Sequence, residues 1–163
     1  MTIFFLTLGA GNCLLTAWQD FRYREIHILP LGLLALGGVC YRCNEDGWGF
    51  AGDWMINLAF LATILGVVWV VYRVRGTEKV MDVKMGWGDV IFLMILGIWF
   101  KPFWFLLFYS VNTFFLSVFF LIGRMTGLIP KTYPIPLAGI LGITFSVFMP
   151  FWHYYLAKIY LYS

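Results

Sequence analysis

An all-α integral membrane protein, a bundle of about six transmembrane helices, is the fold class this sequence predicts. Two observations predict it. The chain is 62% apolar, 21% aromatic and only 12% charged, whereas soluble domains run about 45–50% apolar and about 25% charged. Its apolar residues also fall into repeated runs near the ~20 residues that cross a bilayer. A net charge of +3 over 163 residues is too small to indicate a nucleic-acid partner, so membrane lipid is the expected surrounding. With no repeat, linker or low-complexity stretch, residues 1–163 read as a single polytopic membrane domain.

The first apolar run covers about 2–18 and stops at "QDFRYRE". It lacks a basic leading region and a small-x-small cleavage site, so it reads as a membrane helix and not a removable signal. A second run covers about 28–41 and gives way to "RCNEDGWG"; a third, about 54–72, gives way to "RVRGTEKVMDVKMG". Residues 91–123 are almost continuously apolar, broken only at Lys101-Pro102. One helix over that stretch would be about 50 Å long, too long for a ~30 Å hydrocarbon core. Proline beside lysine suits a turn at the membrane surface, which predicts a helical hairpin over about 88–100 and 103–123. The last span is about 134–157, with a kink expected at Pro150.

Orientation follows from Lys and Arg in short loops. The loops at 20–27, 73–87 and 124–133 share one face and hold Arg22, Arg24, Arg73, Arg75, Lys79, Lys84, Arg124 and Lys131. The other face holds Arg42, Lys101 and Lys158. The basic-rich face is therefore expected in the cytoplasm, with both termini on the outer side of a cytoplasmic (inner) membrane. Trp48, Trp54, Trp99, Trp104 and Trp152 fall near the outer span ends, where aromatic residues collect. Gly9, Gly11, Gly37 and Gly38 read as places where helices approach closely, and Asn12 and Thr16 as polar residues that help helices pack.

Cysteine adds little. Cys13 lies in an apolar run and reads as a buried thiol, while Cys40 and Cys43 form one CxxC at a helix end. A structural zinc site needs a second pair, so no metal is expected; a disulfide is open to the pair in an oxidising compartment.

The topology brings two carboxylates to one depth. Asp20 ends the first span and Asp89 begins the fourth, both at the cytoplasmic membrane boundary. Acidic side chains at such positions are expensive and are functional candidates by default. Each taken alone also fits a plain interfacial carboxylate, facing water or paired with Arg22 or Arg24. As a pair they suit a different chemistry. Two carboxylates a few ångströms apart share a proton, and one ionised with one protonated member can activate water and protonate a leaving amide nitrogen. Gly86 and Gly88 beside Asp89 remove side chains, leaving space for a peptide or freedom for positive φ.

"GWGD" at 86–89 fits the GxGD signature of intramembrane aspartyl proteases, and "DFRYREI" at 20–26 fits the companion segment of one branch. With "IPLAGILG" at 135–142, three separated places in the right order resemble the prepilin peptidases. The resemblance implies that Asp20 and Asp89 are catalytic, with Gly86, Gly88, Arg22, Arg24 and Ile26 completing the motifs. It departs from the family pattern at His27 and Ile28, where Pro-Asn is usual, and at Ile91, where lysine is common. The sequence is similar to the minimal members without a four-cysteine cytosolic domain, so methyltransferase activity is not expected.

The resemblance further implies a prepilin or pilin-like precursor as substrate, cut where its basic leader meets the membrane, with the active site facing the cytoplasm and neither metal nor organic cofactor. Glu78 and Asp82 are candidates for attracting that leader, although four basic residues surround them and a solvated mixed-charge loop fits better. His27 is close enough in sequence to Asp20 to be weighed as an acid–base group and also fits a solvent-facing loop residue. Two other readings stand beside the peptidase: a small proton-coupled transporter titrating the same aspartates, and a non-catalytic pilus-assembly subunit retaining the fold. Transport needs charges at mid-depth, and the spans hold almost none. Presenilin-like peptidases share GxGD but lack an early aspartate followed by "RYREI".

Overall fold

A computed structural model describes residues 2–23, 26–74, 86–130 and 136–162, with side chains at all of these except 72 and 152–162. Regular structure among the described residues is entirely helical: α1 (Thr2–Tyr23), α2 (Ile28–Asp46), a 3-10 turn (Gly47–Gly49), α3 (Phe50–Val74), α4 (Trp87–Trp99), α5 (Pro102–Met125) and α6 (Leu137–Tyr162). Among the described residues, two stretches are long and apolar enough to cross a membrane. One is Ile28–Val71, which runs through α2 and the 3-10 turn into α3; the other is α5. Trp87–Trp99 and Leu137–Phe151 are shorter apolar helices.

Each helix stops for a local reason. α1 runs past the apolar stretch to Tyr23 with Arg22 in its last turn, where a cation complements the helix dipole. α2 likewise continues to Asp46 and ends at Gly47, whose φ of 61° is left-handed and whose N–H returns to the Cys43 carbonyl. The break expected near Lys101-Pro102 is present: Phe100 and Lys101 are extended, and Pro102 opens α5, where its missing N–H costs nothing. α5 closes through Gly127, at φ 75°, and the Ile129 N–H returns to the Gly123 carbonyl at 3.0 Å. α6 runs on past Pro150.

The chain gathers into two compact units, Met1–Phe50 with Pro136–Ser163, and Ala51–Ile135. In the first, α1 packs against α6 and α2. The buried face of α1 is Leu6, Gly9, Asn12, Cys13, Thr16, Ala17 and Asp20, a stripe at helical spacing. α6 answers with Ala138, Leu141, Phe145 and Met149. The approach is close. A Cβ on Gly142 would lie 2.8 Å from the Cys13 carbonyl oxygen, and one turn later the Ser146 hydroxyl donates to Ala10 O at 2.9 Å. This is the small-residue packing that lets helices associate without a hydrophobic driving force. Gly9, Gly37 and Gly38 are buried as expected, but Gly11 faces open space and serves no contact.

In the second unit, α4 buries Val90, Phe92, Leu93, Leu96, Gly97, Ile98 and Trp99. Edge-to-face contacts of Phe60 with Phe105 and Tyr109, at 6.2 and 5.8 Å, tie α3 to α5. Phe100, in the α4–α5 turn, stacks on Phe108 at 5.0 Å. Trp99 is therefore core and not an interfacial residue, whereas Trp48 is exposed. The opposite side of α5 presents Phe103, Phe114, Phe115, Phe119 and Leu121, all more than 60% exposed. A helix apolar all round with one face uncovered is suited to lipid.

Candidate active site

Asp20 lies in the last turn of α1 and is 7% exposed. Extension of the helix to Tyr23 puts it in register with Thr16 and Cys13 on the face toward α6, so its carboxylate is turned inward. Arg22, two residues on, points elsewhere. Its guanidinium sits 5.5 Å from the ring centroids of both Trp18 and Tyr23, which meet edge to face. Asn12 and Thr16 do not bridge helices; they bond to the Leu8 and Asn12 carbonyls of their own helix, both at 2.9 Å.

The group that meets Asp20 comes from the start of α6. The first intrahelical bond there runs from the Ile140 N–H to Pro136 O at 3.2 Å, so the preceding N–H groups have no partner within the ladder. Gly139 donates its N–H to Asp20 Oδ2 at 2.7 Å, in a buried contact. Both parts of "IPLAGILG" used here are glycine for a steric reason. A Cβ at Gly139 would fall 3.0 Å from Asp20 Oδ2 and 2.9 Å from the Phe21 ring; Gly142 has been described above.

Asp89 belongs to the second unit and is the third residue of α4. Gly86 precedes the helix in extended conformation, φ −71° and ψ 147°, and its carbonyl accepts the Asp89 N–H at 3.1 Å. An acid in the first turn complements the positive end of the helix. Positive φ is not what Gly86 supplies, since any residue adopts this conformation. A Cβ there would stand 3.8 Å from Asp89 Oδ2, an ordinary contact. Gly88 is half-buried within the first turn.

The helix carrying Asp89 is held by α3. Asn57, 1% exposed, donates through Nδ2 to Gly97 O at 2.8 Å and Phe100 O at 3.0 Å, and Trp54 Nε1 donates to Met94 O at 3.1 Å. Neither residue was singled out from sequence as a support for Asp89. The available signal was a lone asparagine in the apolar run 54–72.

His27 precedes α2 with its side chain exposed, and its backbone N–H donates to Gln19 Oε1 at 3.3 Å. Ile26 is half-buried. Arg24, Glu78 and Asp82 lie outside the described residues. Cys13, Cys40 and Cys43 are free thiols.

The model of the type IV leader peptidase family matches residues 7–123, a stretch that includes both Asp20 and Asp89. No curated protein and no solved structure matches the chain.

Proposed function

We propose that this chain, which belongs to the type IV leader peptidase family, is an intramembrane aspartyl endopeptidase acting on prepilin or pilin-like precursors. Family membership makes it a leader-peptidase-like protease. The finer reading is that it removes the short basic leader at the cytoplasmic membrane boundary, with Asp20 and Asp89 as the two catalytic carboxylates. The observation that carries it is the family match running through both aspartates and the motifs around them.

The chemistry needs one ionised and one protonated carboxyl group. The ionised group takes a proton from water as the water oxygen bonds to the scissile carbonyl carbon and the carbonyl π pair moves onto its oxygen. The protonated group gives its proton to the leaving nitrogen as the C–N bond breaks. Net reaction is peptide plus water to acid plus amine, and proton exchange with solvent resets the pair. In this reading Gly86 and Gly88 leave room for an extended substrate, Arg22, Arg24 and Ile26 complete the first motif, and Glu78 and Asp82 attract the basic leader.

The same reading places six spans in the inner membrane, with both termini outside and the Arg- and Lys-rich loops in the cytoplasm. The positive-inside distribution supports that orientation.

The test is co-expression of a tagged pilin-like precursor with the wild type, Asp20→Asn or Asp89→Asn, read by intact mass. Leader loss with the wild type alone, and no added methyl group, is the expected result. Cleavage by either folded variant overturns the assignment.

A further inference from the structure

Opposite its buried face, α1 carries a second stripe. Phe4, Leu8, Gly11, Leu15 and Trp18 follow one another at spacings of four and three residues, all exposed, on the side away from Cys13, Thr16 and Asp20. This is the side α1 offers to lipid, and the next member of the stripe is Arg22. A long cation at the end of a membrane helix ordinarily extends its head into water. Arg22 instead leans back along the helix, the direction helical side chains favour. Its guanidinium lies 5.5 Å from the ring centroid of Trp18, one turn earlier, and 5.5 Å from that of Tyr23. The two rings meet edge to face at 5.6 Å, so they brace each other as a platform, and both are half-exposed. The arrangement recurs on α3. Arg73 follows Trp69 by four residues in the last turn, its guanidinium 4.9 Å from the ring centroid, and both side chains are exposed. Each pair lies within its own compact unit.

Tryptophan settles at the headgroup level of a bilayer. A guanidinium held against its ring is kept at that depth, where the anions that can meet it are lipid phosphates. A soluble anion stays in the water beyond. Guanidinium is weakly hydrated, stacks on aromatic rings and presents its N–H groups as a fork that phosphate oxygens accept bidentately. A side chain already ordered by a ring also loses less freedom on binding. We propose that the Trp18–Arg22–Tyr23 platform on α1, and the Trp69–Arg73 pair on α3, are binding sites for the phosphate of an anionic phospholipid. The inference rests on the membrane reading of these helices and not on the assignment of catalytic aspartates. A lipid held there fixes the depth of the last turn of α1, two residues from Asp20.

The test is native mass spectrometry of the full chain in detergent, titrated with phosphatidylglycerol or with phosphatidylcholine of the same acyl chains. The wild type is expected to hold phosphatidylglycerol about fivefold more tightly, because the net charge of that headgroup is not cancelled by a cation of its own. Arg22→Gln and Arg73→Gln should each weaken phosphatidylglycerol binding about fivefold at one site and leave phosphatidylcholine unchanged. Trp18→Leu keeps the cation and removes the larger ring; a loss of about threefold is expected. Equal retention of the two lipids by the wild type, or unchanged phosphatidylglycerol binding in Arg22→Gln, overturns the proposal. Wild-type affinity in Trp18→Leu overturns it as well, since a bare surface charge would then suffice. Inorganic phosphate in excess should not displace the lipid; displacement would make this a site for soluble anions and sink the lipid assignment. If a substitution prevents folding, the two-lipid comparison and the phosphate competition on the wild type still decide.

Discussion

Asn57 on α3 holds the end of α4, its amide nitrogen donating to both Gly97 O at 2.8 Å and Phe100 O at 3.0 Å. The last carbonyls of any helix lack intrahelical donors. Here the chain turns extended at Phe100, and a side chain from another helix supplies donors at that end. Gly97 makes the approach possible, since a Cβ there would lie 3.4 Å from Asn57 Cβ.

Asn57→Ala should therefore take a donor from two carbonyls and lower stability by about 2–3 kcal/mol. Asn57→Asp, which sets an acceptor against two acceptors, should cost more. Thermal unfolding in detergent micelles measures both. Unchanged midpoints would show that these carbonyls are satisfied without Asn57.

Glycines on α1 and α6 are expected to differ sharply. Gly142→Ala drives a methyl group to 2.8 Å from the Cys13 carbonyl oxygen, and backbone cannot rotate away as a side chain can. A loss of about 1–3 kcal/mol follows. Gly11→Ala meets nothing within 4 Å inside a helix and should be neutral or stabilising by about 0.5–1 kcal/mol. Equal effects of the two in a denaturant titration would contradict the α1–α6 packing described.

Gly86→Ala separates structural from functional use of the first motif glycine. With φ at −71° and an added Cβ 3.8 Å from Asp89 Oδ2, the fold should tolerate it within about 0.5 kcal/mol. If the glycine leaves room for substrate, KM for a pilin-like precursor should rise several-fold. A wild-type KM would mean that the space beside Asp89 is not used by the peptide.

Arg42, counted from sequence among the basic residues of the outer face, is 2% exposed and pairs with Asp46 at 3.0 Å. Asp46→Ala should destabilise by about 3 kcal/mol, because it takes a partner from the buried Arg42 guanidinium. Replacing both, Arg42→Met with Asp46→Asn, should recover most of that loss. Thermal unfolding of the single and double variants checks the non-additivity.

Much of this architecture was readable in the residue string. The apolar runs marked helices, and among the described residues each run is helical, with ends up to about five residues from the expected bounds, because backbone polar groups that lipid cannot satisfy have little choice but helix. Lys101-Pro102 marked the hairpin break because proline cannot continue the preceding ladder. The ends were less legible. Polar "QDFRY" and "CNED" looked like loop yet remain helical, since helix ends follow capping and neighbouring packing more than hydropathy.

The local chemistry of the chain thus specified that helices form, where the GWGD and DFRYREI motifs sit on them, and which two carboxylates merit attention. It did not specify which face of each helix turns inward. In a membrane protein the lipid-facing and buried sides are both apolar, so no amphipathic stripe sets the rotation of a helix. That rotation places Trp99 in the core, points Asn12 and Thr16 back to their own helix, and gives Asp20 the N–H of a glycine 119 residues away. Such contacts depend on close approach between distant backbones, at Gly139 and Gly142 on α6 and at Gly97 on α4. Only the folded chain brings those atoms together, because glycine permits a close approach without saying which partner will make it.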